Sequence, residues 1–289
     1  MKIGVTFPQT EIGSDPAVLR DYAQTAEDLG YDHILAYDHV LGAQPGDHRP
    51  GWSGVYNYKT TFHEPFVLFA YMGAITTKIE FVTGILILPQ RQTALVAKQA
   101  AEVDILTNER LRLGVANGWN AAEYETLNEN FHNRGRRIEE QIEVMRRLWT
   151  EEAVTFEGKW HTLNHVAIAP RPRRSIPVWF GGTSDAVMKR AARLGDGWYP
   201  QLRPSDGDPR ETLDRFRAYV REYGRNPDNV GLQTTASIAN ATPDAWATRL
   251  EELDALGITH VCVNTMGAGL GGPREHIEAI RRYKEATGV

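Results

Sequence analysis

Short β-branched runs alternate with longer stretches of helical period along the 289 residues. No other feature narrows the fold as much, because this is the pattern of parallel strands joined by crossover helices. Candidate strands are KIGVTF, HILAY, EFVTGILIL, LRLGVAN, PVWFGG, GWYPQ, NVGLQTTASI and HVCVNT. Eight strands predict a closed (β/α)8 TIM barrel of the α/β class. Between them, PAVLRDYAQTAEDLG places Leu19, Ala23, Ala26 and Leu29 on one face, and Gly30 supplies the stop. TALVAKQAAEVDILTN, RRIEEQIEVMRRLW, SDAVMKRAARLG and the later helical segments repeat the plan.

The length suits one barrel, so a single domain over residues 1–289 is expected, with two excursions. Residues 41–62, rich in Gly, Pro and aromatics, follow the second strand and are expected over the C-terminal face as a binding loop. Residues 151–176, with VTFEGKWHTL, predict an inserted hairpin turning at Glu157 and Gly158.

A formal charge of −5 with mixed signs gives no basic stripe, which argues against nucleic acid as a partner. The opening MKIGVTFPQT lacks the apolar core of a signal peptide. No apolar run approaches the roughly 20 residues that span a bilayer, so no membrane partner is expected. The lone Cys262 suits a reducing cytoplasm and reads as a small buried side chain.

Active sites of such barrels gather at the C-terminal strand ends. Four ends stand out. At LAYDHV, Asp38 and His39 sit where a strand runs out, and an aspartate can hold an imidazole in one tautomer for proton transfer. Gly84, in TGILILP, marks a bulge or a close approach of a ligand to the backbone. In GVANGWNAAEY, Asn117 and Gly118 offer an amide and open backbone and Trp119 an apolar face, although an ordinary turn with Asn120 as helix cap fits too. In VWFGGTSDAV, Gly181 and Gly182 let the backbone come close to a ligand, and Thr183 to Asp185 open a helix whose N–H groups suit a phosphate.

Two motifs are set aside. GAGLGG at 267–272 matches dinucleotide-binding spacing, but no further strand follows it to carry a ribose-binding acid. His161 and His165 have a spacing seen in metal sites without an accompanying acid or cysteine, and read as structural or surface residues, so no metal is expected.

The order of EPFVLFAYMGAIT, VTGILILPQRQTALVAKQAAEVDILT, LGVANGW, RGRRIEEQIEVMRRLWTEEAVTFEGKW and PVWFGGTSDAVMKRAARLGDGWYP resembles the luciferase-like monooxygenase superfamily, particularly its coenzyme F420-dependent branch. The resemblance implies a homodimer with a cofactor across the barrel mouth. It implies that Asp38 and His39 lie near the cofactor ring, with His39 moving a proton. It places a cis peptide at Gly84–Ile85 against the ring, ring or side-chain contacts at Asn117 and Gly118, and a phosphate loop at Gly181, Gly182 and Thr183. Trp119 replaces the catalytic acid of the sugar-phosphate dehydrogenases of the family, which argues against that reaction. Asn117 replaces a smaller residue, and TNERL at 107–111 replaces a glycine-containing turn.

The reading is an oxidoreductase moving a hydride between F420 and an unidentified small organic substrate. Trp52, Tyr56 and Tyr58 would exclude water, and Arg134, Arg136, Arg137 or Arg203 would meet the acidic cofactor tail. The rivals are an FMN-dependent monooxygenase on the same barrel, a metal-dependent hydrolase or isomerase using His39 and Asp196, and a non-catalytic cofactor-binding protein.

Overall fold

The structure is a computed structural model and describes residues 1–44, 54–202 and 207–289. Eight parallel staves close into a barrel. They are β1 (Lys2–Thr6), β2 (His33–Ala36), β3 (Glu80–Thr83) with β4 (Leu86–Ile87), β5 (Leu111–Ala116), β8 (Val178–Gly181), β9 (Gly197–Tyr199), β10 (Gly231–Ser237) and β11 (His260–Asn264). Hydrogen bonding runs β2, β1, β11, β10, β9, β8, β5, β3, and β3 returns to β2 through Ile34 opposite Phe81. These staves are short and mostly buried, because helices cover them outside and side chains fill the interior.

The long predicted strand EFVTGILIL is broken. Its two halves, β3 and β4, meet at a cis peptide between Gly84 and Ile85, the feature implied by the resemblance. Two other strands are shorter than the sequence suggests. GWYPQ stops at Tyr199 because Pro200 has no N–H for a ladder, and a 3-10 turn at Pro227–Asn229 delays β10 to Gly231.

The outer helices are α1 (Pro16–Asp28), α2 (Pro65–Gly73), α3 (Thr93–Leu106), α4 (Ala121–Thr126), α5 (Arg134–Thr150), α6 (Asp185–Leu194), α7 (Pro209–Glu222), α8 (Pro243–Ala255) and α9 (Pro273–Thr287). Four begin alike, with a capping side chain before a proline. Asp15, Glu64, Asp208 and Thr242 each accept a first-turn backbone N–H, and the proline that follows needs no partner for the N–H it lacks. The predicted face of α1 is buried at Leu19, Ala23 and Ala26, with Leu29 packed at its margin. TNERL turns through Asn108 and Glu109, both left-handed at φ 57° and 65°, where glycine would be the easier residue.

The insertion forms the predicted antiparallel hairpin, β6 (Val154–Glu157) with β7 (Thr162–Val166). Glu157 still pairs with Thr162, so the turn starts at Gly158, one residue later than expected. His161 is its clasp, with Nδ1 2.7 Å from Glu140 Oε1 and Nε2 2.6 Å from Thr93 Oγ1. His165 is exposed. Among the described residues, no group of three or more His, Cys, Asp or Glu side chains is arranged to hold a metal ion. Nor is any described helix long and apolar enough to cross a membrane.

Glu27 gathers the backbone N–H groups of Thr77, Lys78 and Ile79 at 2.9, 2.7 and 2.9 Å ahead of β3. Burial alone would raise this carboxyl, but the three donors outweigh it and hold it below the ordinary range. Its contribution to stability is therefore full above the unfolded value of about 4.3 and is lost as the pH falls through the lower folded value. The urea midpoint of the wild type should exceed that of Glu27→Gln at neutral pH, and the gap should narrow on acidification. A gap independent of pH would show that the carboxylate charge does not matter there.

Candidate active site

The C-terminal ends of the staves open into a cavity of about 1230 Å³. Asp38, His39, Gly84, Ile85, Asn117, Gly118, Trp119, Gly181, Gly182 and Thr183 all line it, drawn from β2, the β3 to β4 break, β5 and β8 and the loops that follow them. Gly54, Val55 and Tyr56 from the excursion after β2 line it too. Trp52 and Arg203 lie outside the described residues, and Tyr58 is exposed and away from the lining.

Asp38 and His39 are both there, but not as partners. The buried Asp38 carboxylate takes the Ile87 backbone N–H at 2.8 Å and the Arg91 guanidinium at 2.7 Å, and so fixes β4 beside β2. Its oxygens are committed to those two groups, which corrects the expectation that Asp38 orients the imidazole. That contact belongs to Glu123 on α4, whose Oε2 lies 3.2 Å from His39 Nδ1. The rings of Phe62, Tyr56 and Trp119 stand edge-on to His39 at 4.8, 5.1 and 5.6 Å.

Glu123 was missed in the sequence, although NAAEY carries it. Asn120 does cap α4, accepting from Ala122 N at 3.1 Å, so the ordinary reading of that turn was correct as well. A glutamate in a first helical turn is common for dipole reasons. Only the fold shows that this one is fully buried against His39.

The glycines serve close packing of the protein against itself. A Cβ on Gly84 would sit 2.3 Å from the Leu35 side chain, and one on Gly181 would sit 2.7 Å from Ile85 Cγ2. The missing side chain at Gly181 thus admits Ile85, and Gly181 itself also lines the cavity. Gly182, at φ 120°, turns the chain into α6 while its carbonyl accepts from Trp198 Nε1 at 2.8 Å. Thr183, Ser184 and Val187 bring the first turn of α6 to the cavity, and the Ser184 hydroxyl makes no capping bond.

Among the described residues, two buried polar atoms of the lining have no hydrogen-bond partner, Asn117 Oδ1 and the Tyr199 hydroxyl. Below them the barrel interior is polar. Gln233 on β10 accepts from Arg112 Nη1 at 2.6 Å and donates to Cys262 Sγ at 3.2 Å. Arg112 also pairs with Glu80 and lies 4.3 Å from the Trp179 ring centre. Burial, helped by the Arg112 charge, lowers His33 strongly and His260 to about 3, so both rings are neutral. Burial pushes the Cys262 thiol up to about 12, and its side chain is fully enclosed.

Three arginines assigned to a cofactor tail are elsewhere. Arg134 lies over the Phe131 ring, Arg137 binds the Pro89 carbonyl and Glu129, Arg136 is exposed, and none lines the cavity. Asp196, the metal partner considered for His39, precedes β9 at the opposite barrel end and pairs with Arg146 and the Val178 N–H. The glycines at 267–272 form the loop from β11 to α9 and are also absent from the lining.

The chain is 33% identical to an uncharacterized protein of Mycobacterium tuberculosis, covering 96% of this chain and 97% of that one. It is 32% identical to the F420-dependent glucose-6-phosphate dehydrogenase of Intrasporangium calvum, over 78% of this chain and 71% of the relative. An FMNH2-dependent dimethylsulfone monooxygenase of Pseudomonas fluorescens is 30% identical over 62% of this chain and 46% of its own length. Among solved structures, the monooxygenase RslO1 from Streptomyces bottropensis superposes with a TM-score of 0.78 at 20% identity, covering 99% of this chain and 98% of that one. The luciferase-like monooxygenase profile matches residues 1–287, nearly every residue of the barrel and its insertions, and the chain therefore belongs to that family.

Proposed function

We propose that the protein is a hydride-transfer oxidoreductase that binds coenzyme F420 in this cavity and acts on a small organic substrate. The observation that carries the reading is His39, bonded to a buried carboxylate and edged by aromatic rings, in the same cavity as Gly84 and Ile85. The residues present suit a flat, polar-edged ring, since Asn117 Oδ1 and the Tyr199 hydroxyl are buried at the cavity without partners. When bound, the deazaflavin supplies the carbon that gives or takes the hydride.

The chain's own residues do the rest. Gly84, Ile85 and Gly181 form a smooth wall for the ring, and Asn117 and Gly118 offer it polar contacts. Gly182, Thr183 and the first turn of α6 hold the cofactor phosphate. His39 Nε2 takes up or returns the proton that accompanies the redox step. Tyr56 and Trp119 exclude water and give the substrate an apolar face. Asp38 acts at one remove, by fixing the backbone at Ile87. The reading includes a single domain over 1–289 and a homodimer.

The likeness to the F420-dependent dehydrogenase supports this cofactor. A second reading, an FMN-dependent monooxygenase, is favoured by the FMNH2-dependent relative. Titrating the purified protein separately with F420 and FMN, followed by fluorescence, separates them. Tighter F420 binding with turnover indifferent to oxygen is expected. Tighter FMN binding together with oxygen-dependent turnover would establish the second reading instead.

A further inference from the structure

Glu123 has no exposed surface, and its two oxygens are divided between different partners. Oε1 accepts from the backbone N–H of Val40 at 2.6 Å and of Leu41 at 3.3 Å. Oε2 faces His39 Nδ1. The two amides therefore decide which oxygen the imidazole meets, and an ionised carboxylate can only accept. With the carboxylate in that form, the hydrogen of the contact resides on the ring. Among the described residues, the rings of Tyr56, Phe62 and Trp119 also stand against His39, and none of them brings a second carboxylate. Asp38, the neighbour in sequence, is engaged by Arg91 and Ile87.

We propose that Glu123 is a positioning residue that fixes neutral His39 in the tautomer carrying its hydrogen on Nδ1. Nε2 is then the nitrogen left to exchange a proton with a molecule in the cavity. The tautomer is a property of the ligand-free protein, while its use in turnover rests on the function proposed above. The Val40 and Leu41 amides also tie the start of the excursion after β2 to the same carboxylate, so imidazole orientation and backbone path are set together.

Glu123→Gln tests this through its two unlike ends. The Val40 N–H demands an acceptor, so the amide oxygen takes the place of Oε1 and the NH2 turns toward His39. An NH2 can only donate, so Nδ1 must become the acceptor and the ring hydrogen moves to Nε2. Nitrogen NMR of protein labelled at histidine, with the His39 signals assigned by their loss in His39→Gln, reads this directly. The neutral ring should show a protonated Nδ1 in the wild type and a protonated Nε2 in Glu123→Gln. The variant should also bind F420 as the wild type does, yet turn over at least about 10-fold more slowly, as expected for a base held in the wrong tautomer.

A protonated Nε2 in the neutral wild-type ring, or the same tautomer in both proteins, would overturn the proposal. The wild-type spectrum decides the matter even if Glu123→Gln does not fold. Failure of F420 to bind would sink the proposed cofactor without altering these spectra.

Discussion

Replacing His39 by glutamine is expected to lower turnover by about 10²- to 10⁴-fold, the usual contribution of a positioned acid or base, with F420 affinity unchanged. Glutamine is the informative replacement because its NH2 can still donate to Glu123, which keeps the buried carboxylate paired. What it removes is the nitrogen that can both gain and lose a proton near neutrality. Steady-state kcat beside a fluorescence titration measures both halves. Full turnover in the variant would take His39 out of the proton path, and loss of binding would make it a cofactor contact instead.

Arg91→Met is expected to cost about 3–5 kcal/mol, because it strands the Asp38 carboxylate without its cation. Asp38 has 1% of its side chain exposed, and Arg91 Nη2 lies 2.7 Å from it. The second partner of Arg91, Glu64, is 35% exposed and keeps its cap on the Val67 N–H through its other oxygen, so loss of that pair adds little. Burial tends to lower the Arg91 guanidinium, but Asp38 and Glu64 outweigh this and raise it, as a pair held charged requires. Adding Asp38→Asn to Arg91→Met should recover part of the loss, since asparagine is neutral and still accepts from the Ile87 N–H. Urea midpoints of the single and double variants measure this. Equal midpoints in wild type and Arg91→Met would mean that water reaches Asp38.

The staves and most outer helices were legible because apolar periodicity is a local property of the chain, whereas α2, apolar along nearly its whole length, was not read as a helix in the sequence. The break in EFVTGILIL was not legible in periodicity, since the apolar run continues through Gly84 and Ile85 on both sides of it. Gly84 marked a bulge or a close approach there, and the resemblance placed the cis peptide. The cavity residues followed from a rule about strand ends, which places side chains without saying whom they touch. Asp38 and His39 are neighbours in sequence, yet their partners are Arg91 and Glu123, 53 and 84 residues away. Arg112 and Gln233 meet across 121 residues inside the barrel, where no local pattern records the pairing.

The proposed function requires one flat redox group against Gly84, Ile85 and Gly181 with its phosphate at the start of α6. A crystal structure of the protein with F420 bound tests it most directly. The ring is expected on that wall, with a polar edge within hydrogen-bond distance of Asn117 and the phosphate at Thr183 and Ser184. A ring bound outside this cavity, or a phosphate held at another strand end, would contradict it.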